Sequence, residues 1–192
     1  MKSDITIKQP PMPMSMNPKK FAMWLFMVSV VMVFAALTSA YIVRSGEGNW
    51  LEFQMPDGFM RNTGILLLSS ITMHWAFISA KKNNLVMLKI ALVITALLGT
   101  AFLIGQYIAW GQLVASGVYF VGNPSGSFVY VFTGVHAVHI ISALLFVLVT
   151  LGYALAYKVH SKNMLKIEMC ATYWHFLDAI WLYLFIFILI NK

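Results

Sequence analysis

Apolar residues run through this chain in long, almost unbroken stretches. They show neither the alternation of a half-buried strand nor the narrow stripe of a surface helix. The first stretch, FAMWLFMVSVVMVFAALTSAYIV (21–43), makes a helix of about 34 Å at a rise of ~1.5 Å per residue. That length crosses a hydrocarbon core of about 30 Å. Four more apolar runs follow over residues 62–80, 85–110, 127–157 and 168–190. The pattern predicts an all-α, polytopic membrane helix bundle with five transmembrane helices. The first run is too long for a signal-peptide core and has no small-residue cleavage site where one is expected.

Breaks in the pattern set the remaining organisation. The segment QPPMPMSMNP (9–18) is too rich in proline, which removes donors and crowds the preceding turn, to hold a regular helix. Residues 1–18 are therefore expected to be a flexible cytoplasmic segment and 19–192 one five-helix membrane domain. Asn17 is placed to cap the first helix, with Pro18 at its first position. Three groups of lysines fall on one side: Lys2, Lys8, Lys19 and Lys20 before the first span, Lys81, Lys82 and Lys89 at the second turn, and Lys158, Lys162 and Lys166 at the fourth. Lys89 is close enough to a span end to snorkel. Opposite them lie Glu47, Glu52 and Asp57 against Arg44 and Arg61. The positive-inside rule then puts the N-terminus in the cytoplasm and the C-terminus outside.

Composition narrows the function classes. Of 192 residues, 60% are hydrophobic and only 10% charged, which excludes a soluble domain. The net charge of +7 is spread along span ends, so it reads as a topology signal rather than a nucleic-acid surface. The single cysteine, Cys170, excludes a disulfide framework and any cysteine-built metal cluster, and is read as packing. There is no internal repeat, and five spans do not divide into the paired halves of common transporters.

The ionisable residues inside the spans carry the candidate chemistry: His74, His136, His139, His175 and Asp178. Counting from the span starts puts His139 about 18 Å and Asp178 about 15 Å deep from opposite sides. The HAVH and HFLD segments are thus expected to meet near mid-membrane. Residues three apart share a helix face, so His136 pairs in direction with His139, and His175 with Asp178. A carboxylate at a span centre costs about 2.5–3.5 kcal/mol on insertion scales, so Asp178 is expected to face protein. Three readings compete: a metal or haem site, a proton relay, and a hydrogen-bonded joint between helices. The HxxH spacing differs from the four-residue spacing of helical zinc motifs, and the third span has only Gln106 at depth, so the joint is the working reading. Trp24, Tyr41, Trp50, Trp110 and Tyr119 read as interfacial anchors. Gly99, Gly105, Gly134 and Ala137 read as points of close helix approach. Glu168 reads as a solvated acid in a first helical turn.

The segment FTGVHAVHIISA, followed after a short loop by EMCATYWHFLDAIWLYLF, resembles the C-terminal signature of subunit III of haem-copper terminal oxidases. Thr133, Gly134, His136, His139, Glu168, Tyr173, Trp174, His175, Phe176, Asp178 and Trp181 carry the match. RNTGILLLSSITMHWA resembles the family's fourth helix through Asn62, Thr63, Ser70, Thr72 and Trp75. The resemblance spans about residues 19–190 and is to the short form with five helices rather than seven. Two family acids are replaced, by Val30 and by Ala109, so roles of those acids do not transfer.

The resemblance implies a cofactor-free subunit of a proton-pumping oxidase in the bacterial cytoplasmic membrane. Haem and copper would sit on partner subunits, and subunits I and II, with phospholipid and a larger respiratory supercomplex, would be its partners. It implies support of subunit I, lipid holding, proton uptake and oxygen access rather than catalysis. His136, His139, His175 and Asp178 would form a buried polar network, while Trp24, Asn62, Trp75 and Gln106 are candidate lipid or partner contacts. The alternatives are a subunit associated with nitric oxide reductase, a small proton-coupled transporter using His175 and Asp178, and a haem-binding enzyme.

Overall fold

The computed structural model describes residues 17–156 and 164–191. The expectations for residues 1–16 and for Lys158 and Lys162 lie outside that range. Among the described residues every regular element is an α-helix: α1 Pro18–Ser45, α2 Asp57–Lys81, α3 Leu85–Ala115, α4 Pro124–Leu155 and α5 Leu165–Ile190. All five are long and apolar enough to cross a membrane. The chain is a multi-pass membrane protein.

The local chemistry explains the boundaries. Asn17 accepts a hydrogen bond from the Lys19 amide at 3.0 Å, with Pro18 in the first turn, as the sequence predicts. Asn84 and Asn123 cap α3 and α4 in the same way. Helix α2 ends with Asn83 at φ 54°, where the Asn84 amide reaches back to the Ser79 carbonyl at 2.9 Å. Helix α3 ends on Gly117 at φ 78°, with the Val118 amide on the Leu113 carbonyl at 2.9 Å. Both are left-handed caps that satisfy terminal carbonyls. These caps explain why α3 outruns its predicted end at residue 110: nothing breaks the helix until Gly117. Similarly, α2 starts five residues before the predicted 62, because Phe59 in its first turn is buried.

The tight Lys82–Asn84 turn sets α2 antiparallel against α3, and small residues let them close up. A Cβ on Gly105 would collide with the Asn62 amide, and one on Gly58 with the Gln112 amide. Helices α2, α3, α4 and α5 form a ring in which each touches its two neighbours. Helix α1 stands outside this ring and touches only α4 and α5.

One stripe holds α1 in place: Met27, Val30, Phe34, Thr38 and Tyr41, spaced three and four apart. Phe26 packs on Tyr173 at 5.7 Å between ring centroids, and the Tyr183 hydroxyl donates to Thr38 Oγ1 at 3.1 Å. The Tyr41 hydroxyl donates to the Asn191 carbonyl at 2.7 Å, tying the end of α1 to the end of α5. The loop after α1 is strapped to the start of α4: Ser125 Oγ donates to the Leu51 carbonyl at 2.8 Å, and Asn123 Oδ1 accepts from the Leu51 amide.

Three sequence expectations change here. Tyr41 is only 1% exposed, so it is an inter-helix joint and not an interfacial anchor. Trp110 bridges α3 to α4 by donating from Nε1 to Thr133 Oγ1 at 2.9 Å. Gly134 meets nothing within 4 Å, so it permits no close approach within this chain, unlike Gly99 and Gly105.

Candidate functional site

Because α1 leans away from α2, a cleft of ≈ 370 Å³ opens over α5 between them. Lys20 and Trp24 line it from α1, His74 and Phe77 from α2, and Glu168 and His175 from α5. Glu168, Thr172 and His175 recur at intervals of four and three, so α5 presents all three on one face. At the mouth, Lys20 Nζ donates to Glu168 Oε2. Glu168 is therefore ion-paired rather than simply solvated, because the start of α1 lies beside the start of α5.

Deeper in, polar side chains line up from the cleft towards the bundle interior. His175 Nδ1 is 2.7 Å from Ser70 Oγ of α2, and its ring centroid is 6.1 Å from that of His74, one turn along α2. Asp178 Oδ2 lies 3.9 Å from the same Nδ1. Asp178 is only 4% exposed and neither carboxylate oxygen has a hydrogen-bond partner among the described residues. The Ser70 hydroxyl of α2 thus meets the same His175 nitrogen that Asp178 approaches.

The other histidine pair sits elsewhere in the packing. His139 Nδ1 donates to the Val135 carbonyl at 2.8 Å, which fixes its proton on that nitrogen. Its ring faces Phe34 of α1 at 5.8 Å. His136 is fully buried in an aromatic box, 4.9 Å from Trp181, 5.9 Å from Phe102 and 6.4 Å from Phe34, and neither ring nitrogen has a hydrogen-bond partner among the described residues. No hydrogen bond joins His136 or His139 to His175 or Asp178. The indole of Trp181, one turn beyond Asp178, fills the space against His136, so rings rather than polar atoms make that contact.

The polar joints between helices use other partners. Trp174 Nε1 donates to Ser69 Oγ at 3.1 Å, and Trp181 Nε1 to Thr63 Oγ1 at 3.0 Å. Tyr173 Oη and Ser142 Oγ are 2.8 Å apart, and Asn62 Nδ2 donates to the Phe102 carbonyl at 3.1 Å. Phe176 is partly buried against the core. Of the candidate lipid or partner contacts, Trp24 (51% exposed) and Trp75 face outward. Asn62 and Gln106 do not: both are buried, Asn62 because Gly105 opens the space that its amide fills. Ser69 and Thr63 were not singled out as acceptors from the sequence. The signal was a hydroxyl on α2 at the level of each indole, legible only once α2 and α5 are known to be neighbours. Among the described residues, no three His, Cys, Asp or Glu side chains gather closely enough to hold a metal ion.

A second, larger cleft of ≈ 1040 Å³ lies between the later half of α1 and the start of α4. Its walls include Leu37, Val43, Phe128 and Val131, and Arg44 and Glu47, 3.1 Å apart, stand at its rim.

Comparison with known proteins matches this architecture to one family. The model for cytochrome c oxidase subunit III matches residues 6–191, nearly the whole chain. The chain belongs to the cytochrome c oxidase subunit III family. It is 34% identical over 184 residues to cytochrome c oxidase subunit 3 of Petromyzon marinus, covering 87% of this chain and 67% of that protein. The corresponding subunit of Pongo abelii is 32% identical over 181 residues, with the same coverage. Subunit 3 of the cytochrome bo(3) ubiquinol oxidase of Buchnera aphidicola subsp. Schizaphis graminum (strain Sg) is 28% identical over 180 residues, covering 91% of this chain and 95% of that protein. Membership implies association with other oxidase subunits.

Val30 and Ala109, the positions at which the resemblance leads one to expect acids, fall inside this packing. Val30 is 2% exposed in the α1 stripe, and Ala109 is fully buried on α3.

Proposed function

We propose that this chain serves as the non-catalytic subunit III of a proton-pumping respiratory terminal oxidase in a bacterial cytoplasmic membrane. In this reading it stabilises subunit I, holds phospholipid, and sustains proton uptake and oxygen access, while haem and copper reside on subunits I and II. Residues 19–192 act as one membrane domain, with the N-terminus cytoplasmic and the C-terminus outside, as the lysines at one set of span ends indicate.

The observation that carries the reading is the position of α1. It is seated on α4 and α5 and stands off α2 and α3, leaving two largely apolar clefts along its flanks. Apolar grooves with a charged rim suit acyl chains below and head groups above. The intramembrane histidines contact rings, a hydroxyl and a backbone carbonyl rather than a shared centre, which suits a supporting role better than redox chemistry.

The test is to purify the oxidase from cells with and without this chain. Loss of bound lipid and slower proton uptake, with the haem spectrum intact, are the expected results. A Trp174→Phe, Trp181→Phe double variant, which removes two polar joints between α5 and α2, is expected to impair assembly or lipid retention more than intrinsic oxygen chemistry. Normal assembly and haem content with abolished single-turnover oxygen reduction would contradict the proposal.

A further inference from the structure

One turn beyond His175, which lines the cleft over α5, stands a group whose placement a supporting role does not require. Asp178 is a carboxyl inside a membrane helix, shielded from the surroundings, with no hydrogen-bond partner for either oxygen among the described residues. A short polar line leads from it to the cleft: Asp178 Oδ2 is 3.9 Å from His175 Nδ1, the nitrogen that Ser70 Oγ meets at 2.7 Å, and His175 lines the cleft with about a third of its side chain exposed. We propose that Asp178 is a proton-binding site that exchanges its proton with the cleft through Ser70 and His175.

The chemistry follows from the donors present. A carboxylate at this depth is costly in hydrocarbon, whereas the neutral acid is tolerated. For loading, His175 takes a proton from the cleft at Nε2 and becomes imidazolium. It then passes the Nδ1 proton to Ser70 Oγ while the hydroxyl proton of Ser70 moves to Asp178. The carboxylate ends as a neutral acid and His175 ends as the neutral Nε2–H tautomer, so one proton has moved and no charge is left over. Unloading is the reverse. A hydroxyl suits the middle position because it accepts and donates at once. The 3.9 Å between Asp178 Oδ2 and His175 Nδ1 is too long for a direct hydrogen bond, so the serine completes the line.

The charged and titratable groups around the site are few. Helix α2 contributes His74, whose ring stands beside that of His175. Helix α1 contributes Lys20, which Glu168 of α5 neutralises at the cleft mouth. Helix α4 contributes His136, against Trp181 one turn further on, and His139, whose Nδ1 is held by a carbonyl. None of these hydrogen-bonds Asp178, whereas His175 and Ser70 are joined to each other beside it.

The site goes beyond the proposed function and does not depend on it, because the test runs on the full chain alone. Infrared spectroscopy of the purified chain in lipid nanodiscs reads the C=O stretch of protonated carboxylic acids and its shift on transfer to D₂O. The wild type is expected to show a band that Asp178→Asn removes. Ser70→Ala and His175→Gln should keep the band but exchange it about a hundredfold more slowly, the lower range for loss of a positioned proton-transfer group. A wild-type spectrum with no band assignable to Asp178 would overturn the proposal. So would wild-type exchange rates in both Ser70→Ala and His175→Gln, which decide the matter even where Asp178→Asn does not fold.

Discussion

Replacing Gly99 by alanine tests the packing at the centre of the bundle. An ideal Cβ there would lie 2.7 Å from Cη2 and 3.3 Å from Cζ2 of Trp174, and 3.5 Å from Leu144 Cδ1. The first distance is far inside contact, so the indole has to move. Trp174 is buried and anchored by its hydrogen bond to Ser69, so it has little room to do so. Overpacking costs about 1–3 kcal/mol in well-packed interiors. A displaced indole also loses a hydrogen bond worth about 0.6 kcal/mol on average in membrane bundles. Against this stands the helix preference of alanine over glycine, about 1 kcal/mol. Gly134 provides the control: it too lies within a long helix, and its Cβ would meet nothing within 4 Å. The propensity gain is common to both substitutions, so their difference isolates packing. Unfolding of the purified chain in mixed micelles should place Gly99→Ala about 1–3 kcal/mol below Gly134→Ala. Combining Gly99→Ala with Trp174→Phe should be clearly less damaging than the sum of the two. Equal stability of the two alanine variants, or strict additivity in the pair, would refute the argument.

Other perturbations have distinct expected outcomes. Tyr41→Phe removes the hydroxyl that ties α1 to the Asn191 carbonyl but keeps the ring contacts; it should cost about 0.5–1.5 kcal/mol in the same unfolding assay, and a loss above about 3 kcal/mol would point to a larger role. His136→Phe replaces an unpartnered imidazole by an apolar ring among Phe34, Phe102 and Trp181. Stability should stay within about 1 kcal/mol, whereas His136→Ala should lose about 3 kcal/mol by opening a cavity; equal losses would show that the polar atoms matter. Lys20→Ala breaks a half-exposed ion pair and should cost no more than about 1 kcal/mol. It should nevertheless increase protease access to the start of α1, and unchanged cleavage would mean that the pair does not hold that end down.

Much of the fold was legible because hydrophobic length is a strong signal in membrane chains. The five spans, the Asn17 cap and the Glu168-to-Trp181 signature could all be read from the residue pattern. What could not be read was which polar group meets which. His136 and Asp178 lie on predicted buried faces, yet their separation depends on the azimuth of two helices and on where the indole of Trp181 fits. Tyr41 and Trp110 sit near span ends, where aromatic residues usually anchor at the interface. Only the fold shows that Asn191 and Thr133 wait for their polar atoms. The exclusion of α1 from the ring was also hidden, because its apolar composition is much like that of its neighbours, and only the stripe from Met27 to Tyr41 is buried.

Affinity purification of the tagged chain from its native membrane, with mass spectrometry and a visible haem spectrum of the product, tests the supporting role most directly. The account predicts that a haem-containing oxidase catalytic subunit co-purifies in stoichiometric amount, and that the chain stripped of its partners has no Soret absorbance. A chain that purifies alone and itself carries haem, or that moves a solute across liposomes without partners, would contradict it.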